Sequence, residues 1–179
     1  REIGAFSTSY IPTNGAQGSR GTDNVTIEGD NFSKWFNQRE GTIFADMGPY
    51  VSADTANFGI SIGSASNNYL AFPYITSGGT YSRDVYWRDP FTAETIAFPN
   101  GSTAGKYAFA YKNSERFTGY FDGTLGEDTV GPWPNPSGYN SLRIGTSHFA
   151  SGERQNFYLK QFTYYPSALS NAILQTLTK

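Results

Sequence analysis

One short segment of the chain alternates large aromatic and small side chains, and this pattern limits the fold more than any other. Tyr107, Phe109 and Tyr111 occupy every second position, with Ala108 and Ala110 between them. Successive side chains of a β-strand point to opposite faces, so the three rings share one face and the two methyl groups share the other. We therefore predict a strand that packs its rings against a second sheet.

Similar short runs, rich in aromatic and β-branched residues, recur between clusters of Gly, Asn, Asp, Ser and Pro. This arrangement predicts an all-β fold in which two antiparallel sheets form a sandwich. The runs that we assign to strands are residues 24–27, 42–47, 57–62, 69–72, 83–87, 107–112, 116–121, 142–144 and 157–165.

The C-terminal segment departs from the β pattern. Leu169, Ile173 and Leu177 recur every four residues, which is typical of one face of a helix. Ser170 is of a type that caps helices, and it directly precedes Asn171. We therefore predict one short helix that begins near Asn171 and packs on the sandwich.

The length and the even composition predict a single domain. The chain has 179 residues, a size that one domain can fill with a sizeable core. It shows neither an internal repeat nor a break in composition. We assign residues 1–179 to one domain, in which residues 1–13 form a segment that follows a preceding domain.

The charge and the apolar content exclude several classes of function. The formal net charge is −2, and no run of Lys or Arg occurs, so the footprint of a nucleic-acid or anionic-membrane binder is absent from the sequence. The chain has no Cys, which excludes disulfides and thiolate chemistry. No apolar stretch approaches the roughly 20 residues of a membrane-spanning helix, so we predict no membrane insertion.

Eight short motifs follow one another along most of the chain. They are residues 4–13 (GAFSTSYIPT), 23–27 (DNVTI), 32–38 (FSKWFNQ), 41–46 (GTIFAD), 106–111 (KYAFAY), 120–123 (YFDG), 142–145 (LRIG) and 162–172 (FTYYPSALSNA). In their order and spacing they resemble a concanavalin A-like, laminin-G-like lectin domain of the kind found in phage tail-fibre and other virion proteins.

This resemblance implies a jelly-roll sandwich and, for many relatives, glycan binding as one part of a larger virion or surface protein. It predicts host attachment as the role, a polysaccharide or glycan and other virion domains as partners, and a virion or extracellular location. It supplies no binding residues, because residues 67–100 match no motif of the family. The alternative is a structural or decoration domain that makes protein–protein contacts in the virion.

The acidic residues do not form the array of a jelly-roll glycosidase. A retaining enzyme needs two carboxyl groups about 5 to 5.5 Å apart, which on a strand means alternate positions. Asp84 and Asp89 differ by five positions and would face opposite sides of an unbroken strand. Glu127 and Asp128 are adjacent in the sequence. We therefore predict that the chain is not an enzyme.

The best enzymatic alternative is a polysaccharide lyase in which His148 acts together with Arg83, Arg88, Tyr81 and Tyr86, and a glycoside hydrolase of jelly-roll type is the other. A single His in a segment rich in Ser and Thr is expected at the surface, and without a second His it is not expected to bind zinc. No catalytic residue, metal ligand or cofactor is predicted. Calcium held by loop Asp and backbone carbonyl oxygens is left open.

The segment around Tyr86 carries the side chains that sugar sites use. A sugar ring presents a patch of C–H groups and a rim of hydroxyls, so its sites combine an aromatic ring with planar hydrogen-bonding groups. On a strand, Tyr86 and Arg88 share one face with Asp84. Arg83 and Trp87 share the other face.

The predicted ligand-binding residues are Arg83, Tyr86, Trp87, Arg88, Trp133 and Tyr74. Trp133 stands between two prolines, which stiffen the loop that holds its ring. Tyr74 follows Pro73 and could line the same groove. The alternatives are that Trp87 is a core residue, that Trp133 closes one end of the sandwich, and that Tyr74 packs in the core.

Overall fold

The computed structural model describes residues 25–48, 57–65, 67–75, 84–89, 91, 93–98, 104–113, 115–129, 136, 138–148 and 157–179. For residues 57, 58, 74, 75, 94 and 127–129 it describes the backbone alone. Arg83 and Trp133, both predicted to bind ligand, lie outside the described residues, and so does the side chain of Tyr74.

The described residues form eleven strands and two helices. The strands are β1 (Val25–Glu28), β2 (Glu40–Met47), β3 (Asn57–Ala65), β4 (Asn68–Ile75), β5 (Asp84–Arg88), β6 (Ala93–Ile96), β7 (Gly105–Lys112), β8 (Arg116–Phe121), β9 (Thr124–Thr129), β10 (Ser141–Ile144) and β11 (Leu159–Tyr165). The helices are α1 (Asp30–Ser33) and α2 (Asn171–Leu177). No helix of the described part is long and apolar enough to cross a membrane.

Two antiparallel sheets pack face to face. The six-stranded sheet has the order β1-β10-β3-β4-β5-β6, and the five-stranded sheet has the order β11-β2-β7-β8-β9. Four of the neighbouring pairs, β1-β10, β10-β3, β11-β2 and β2-β7, join strands that are distant in sequence, as expected for a jelly roll. The predicted all-β sandwich with one short C-terminal helix is confirmed.

The aromatic face of β7 points into the space between the sheets, as predicted. Tyr107 and Phe109 are fully buried there, and the ring of Phe109 meets that of Phe72 on the opposite sheet edge-to-face, with 4.8 Å between their centroids. Ala108 and Ala110 lie on the other side of the sheet, in a separate buried cluster. Each buried ring contributes about 1.5 to 3 kcal/mol of transfer free energy, which helps a chain without disulfides to hold two sheets together.

Helix α2 covers the outer face of the five-stranded sheet. Leu174 is fully buried there with Phe44 and Ala108, whereas Ile173 is 46% exposed. The helix is confirmed, but its buried side chain is Leu174 and not Ile173, because the sheet contacts the side of the helix that carries Leu174. Ser170 occupies the N-cap position, although its side chain makes no capping hydrogen bond.

Candidate functional site

Strand β5 places apolar and polar side chains on opposite faces. Val85 and Trp87 are buried in the core, and Asp84, Tyr86 and Arg88 are half-buried on the outer face of the six-stranded sheet. The predicted sharing of one face by Asp84, Tyr86 and Arg88 is thereby confirmed. This outer face is the one on which α2 does not lie.

Trp87 belongs to the core, and its predicted role in ligand binding is corrected. Its side chain is only 2% exposed, and its ring packs against Phe117 and Tyr111 with centroid distances of 5.2 and 5.9 Å. A ring enclosed in this way has no face left for a sugar. The cause is the period of the strand, because the neighbours Tyr86 and Arg88 point outward and Trp87 must point inward.

The core around Trp87 contains two polar atoms that no described group hydrogen-bonds. They are the indole Nε1 of Trp87 and the hydroxyl oxygen of Tyr139, whose rings lie 6.0 Å apart. Burial, assisted by the nearby Asp89 and Tyr69, raises the pKa of Tyr139 well above its usual value. Both side chains belong to the buried core.

On the outer face, Tyr86 packs on a buried patch of β4. It pairs with Ala71, which is fully buried, and its ring lies 5.8 Å from that of Tyr69, tilted by 36°. Sequence reasoning did not select Tyr69. Only the pairing of β4 with β5, which sets Tyr69 opposite Arg88, reveals its place.

Arg88 is half-buried, and within the described ranges no hydrogen bond or ion pair engages its side chain. On the edge strand β6, Ala93 lies opposite Arg88 and Thr95 opposite Tyr86. Both are small and exposed, so they leave the guanidinium open from that side. Its five N–H donors therefore have no partner within the part of the chain that the structure describes.

A second polar cluster covers the outer face of β3 and β10. The ring of His148 lies between Ser61 and Ser141, with Nδ1 hydrogen-bonded to the Ser61 hydroxyl and Nε2 2.8 Å from that of Ser141. The backbone N–H of His148 also donates to the Ser61 hydroxyl over 3.1 Å. The side chain is only 6% exposed. The expected surface position of His148 is wrong, because two serines on one sheet face engage both of its ring nitrogens.

The environment of His148 does not suit a catalytic base. Burial, with a smaller contribution from Arg143, lowers its pKa from 6.5 to about 3, so the ring is neutral at pH 7. The Arg143 guanidinium donates to the backbone oxygen of Ser147 over 3.1 Å. A general base must reach the proton that it removes, whereas both nitrogens of His148 are hydrogen-bonded inside the fold. His148 therefore does not supply the base that the lyase alternative requires.

Among the residues that the structure describes, no group of three or more His, Cys, Asp or Glu side chains could hold a metal ion. Of the six predicted ligand-binding residues, Tyr86 and Arg88 lie together on the outer face of β5. Trp87 lies on the opposite, buried face. The polar surface of β5, with Tyr69 of β4 beneath Tyr86, is thus the candidate site.

No family model matches the chain, and no curated protein sequence matches it. Solved structures do match. The CBM40 module of the Ruminococcus gnavus IT-sialidase superposes with a TM-score of 0.62 at 16% identity, covering 79% of this chain and 83% of that one. The chain has the fold of a carbohydrate-binding module.

Two further matches extend over more of this chain and less of the other. The NanB sialidase of Streptococcus pneumoniae matches with a TM-score of 0.64 at 14% identity, over 91% of this chain and 28% of that one. A botulinum neurotoxin type C chain matches with a TM-score of 0.61 at 11% identity, over 89% and 40%. At such identities the likeness shows the fold alone.

Proposed function

We propose that this chain is a non-catalytic carbohydrate-binding module whose site lies on the outer face of β4 and β5. The observation that carries the proposal is the half-buried Arg88, unengaged by any described group, beside the ring of Tyr86. Both side chains are only half-buried, so part of each is accessible to a ligand. The fold shared with a carbohydrate-binding module supports the same function.

Arg88 and Tyr86 offer two complementary contacts to a sugar. The ring of Tyr86 is held by Tyr69 and can meet the C–H face of a sugar ring. The Arg88 guanidinium can donate two parallel hydrogen bonds to a carboxylate, which are shorter and stronger than bonds between neutral groups. Because a partly desolvated cation gains most from an opposite charge, an acidic sugar is the ligand that this site favours.

The neighbours suggest which acidic sugars to test first. The R. gnavus module has been solved bound to α2,3- and to α2,6-sialyllactose. The botulinum neurotoxin chain is described as depending on two ganglioside molecules for cell entry. Since the site of this chain favours a carboxylate, we propose sialylated glycans as its ligand class.

The proposal is tested by a glycan panel that pairs each sialylated oligosaccharide with its desialylated form. The parent chain should bind the sialylated member of a pair more tightly. Arg88→Ala should weaken that binding by about tenfold to a hundredfold, the equivalent of ~1.5 to 3 kcal/mol for hydrogen bonds to a charged group. Arg88→Lys should restore it only in part, because an ammonium lacks the planar fork.

Arg39→Ala is the matched control, since it removes an exposed arginine just before β2 in the other sheet. It should leave affinity unchanged and so separate the site from net charge. Binding that is equally strong in the parent and in Arg88→Ala would reject the site. A folded parent chain that binds no glycan in the panel would reject the function and favour the structural alternative.

We further propose, from the motif resemblance alone, that the module serves host attachment in a phage virion or tail protein. Other domains of that particle would then be its protein partners, and its location would be the virion surface. An antibody against the isolated chain should label tails or fibres in micrographs of virions that carry the gene. Absence of label from every virion component would reject this setting and leave glycan binding intact.

A further inference from the structure

Phe91 is an exposed aromatic ring at the turn between β5 and β6. Its side chain is 94% exposed, the highest value among the large apolar residues that the structure describes. Its backbone N–H donates to Oδ1 of Asp89 over 2.7 Å, which ties Phe91 to the end of β5. Phe91 therefore presents its ring to solvent close to the candidate site.

The turn lies at the end of the candidate site. Phe91 follows Arg88 by three residues, a span of at most about 11 Å. Ala93 pairs with Arg88 across β5 and β6, and it is exposed. The residue opposite Arg88 thus carries only a methyl group, which leaves room beside the guanidinium for a ligand that is longer than one sugar.

A single ring is too small for a stable protein interface but suits one sugar. A stable interface buries roughly 800 Å² on each partner, whereas one aromatic side chain supplies about 150 to 250 Å². Asp89 and Arg88, two and three positions before Phe91, are charged, and Thr92 directly after it is polar. One flat ring beside hydrogen-bonding side chains matches the C–H face and hydroxyl rim of a sugar.

We propose that Phe91 is the platform for the second sugar of a glycan whose first, acidic sugar is bound at Arg88. The proposal rests on the function proposed above and adds to it an extended site that runs along β5 to the turn. The chain would then bind oligosaccharides more tightly than single sugars, because the sugar next to the acidic one contacts Phe91.

Calorimetry with two probes tests this site. The probes are α2,3-sialyllactose, which can reach both Arg88 and Phe91, and free N-acetylneuraminic acid, which can occupy the position at Arg88 alone. Phe91→Ala should lower the affinity for the trisaccharide about three- to tenfold, the usual range for one ring contact. It should change the affinity for the monosaccharide by less than about twofold. Phe91→Tyr should retain the parent affinity.

Leu125→Ala is the matched control, since it truncates an exposed apolar side chain in the other sheet and should leave both affinities unchanged. Phe91 is almost fully exposed, so the Phe91→Ala chain should keep the thermal midpoint of the parent. Equal affinity of parent and Phe91→Ala for the trisaccharide overturns this inference while the site at Arg88 stands. A parent that binds neither probe overturns both, and a change of oligomeric state in Phe91→Ala assigns the ring to a protein contact and overturns the inference.

Discussion

Acidification should destabilise this sandwich through His148. The ring is 6% exposed and joins β3 to β10 through hydrogen bonds to Ser61 and Ser141. Burial and the nearby Arg143 oppose a second positive charge at this place, which lowers the pKa of His148 to about 3. The perturbation is a shift from about pH 7.5 to about pH 5.0, at which an ordinary imidazole gains its proton.

The sign of the effect follows from which state binds the proton first. In the unfolded chain the imidazole titrates near 6.5, whereas in the folded chain it stays neutral down to about 3. The contribution of the neutral His148 to the free energy of unfolding is therefore fully present above about pH 6.5. It is lost progressively as the pH falls toward 3. At pH 5.0 the unfolded ring is about 1.5 units below its pKa, and at ~1.4 kcal/mol per unit the loss is about 2 kcal/mol.

Urea denaturation at both pH values measures this loss. His148→Gln is the comparison, because an amide can still donate to one serine and accept from the other but does not titrate. The carboxylates of the chain titrate equally in both proteins, so the parent should lose about 2 kcal/mol more than the variant. Equal losses would refute the reasoning. If His148→Gln does not fold, NMR of the parent decides, since a charged imidazole in the folded chain at pH 5.0 would refute it as well.

Two further predictions concern packing. Trp87→Ala should lower the free energy of unfolding by about 3 to 5 kcal/mol, and Trp87→Phe clearly less, because Phe keeps most of the packing and removes the indole nitrogen that no described group hydrogen-bonds. Chemical denaturation compares the two, and equal costs would contradict the core assignment. Gly41→Ala should cost about 1 to 3 kcal/mol, because a Cβ would lie 2.6 Å from the hydroxyl of Tyr111 and 2.7 Å from that of Tyr164. An unchanged thermal midpoint would contradict this contact.

The two-residue period made the interior strands predictable. In β7, rings at alternate positions can be buried together only if the backbone is extended, so the pattern determines both the strand and its inner face. In β5, the same period correctly separates Tyr86 and Arg88 from Trp87. The period does not say which of the two faces is the core, and for that reason it cannot exclude Trp87 from the site.

The edge strands β6 and β9 escaped prediction because little in their sequence requires a strand. The sequence of β6 is AETI, and Ile96 is its buried side chain at 1% exposure. The sequence of β9 is TLGEDT, in which Leu125 is 43% exposed and Gly126 interrupts the pattern. Edge strands form through backbone pairing with a neighbour, and pairing depends on residues elsewhere in the chain.

Contacts between distant residues explain the other errors. Ser61 and His148 are 87 positions apart. Nothing in the sequence near His148 shows that outward-facing serines on two neighbouring strands hydrogen-bond its ring. Tyr69 joins the site only through its register with Arg88.

One face of strand β5 packs in the core and the other carries the candidate site, and the packed face holds the site in place. Trp87 anchors the strand between the sheets, so the backbone of its neighbours Tyr86 and Arg88 is already ordered before a ligand arrives. Binding then costs little further conformational entropy beyond that of the Arg88 side chain. Because the faces alternate residue by residue, losses of stability and losses of affinity should separate between adjacent positions of one strand. A site built on a loop would not show this separation, since its ligand would have to order the backbone as well as the side chains.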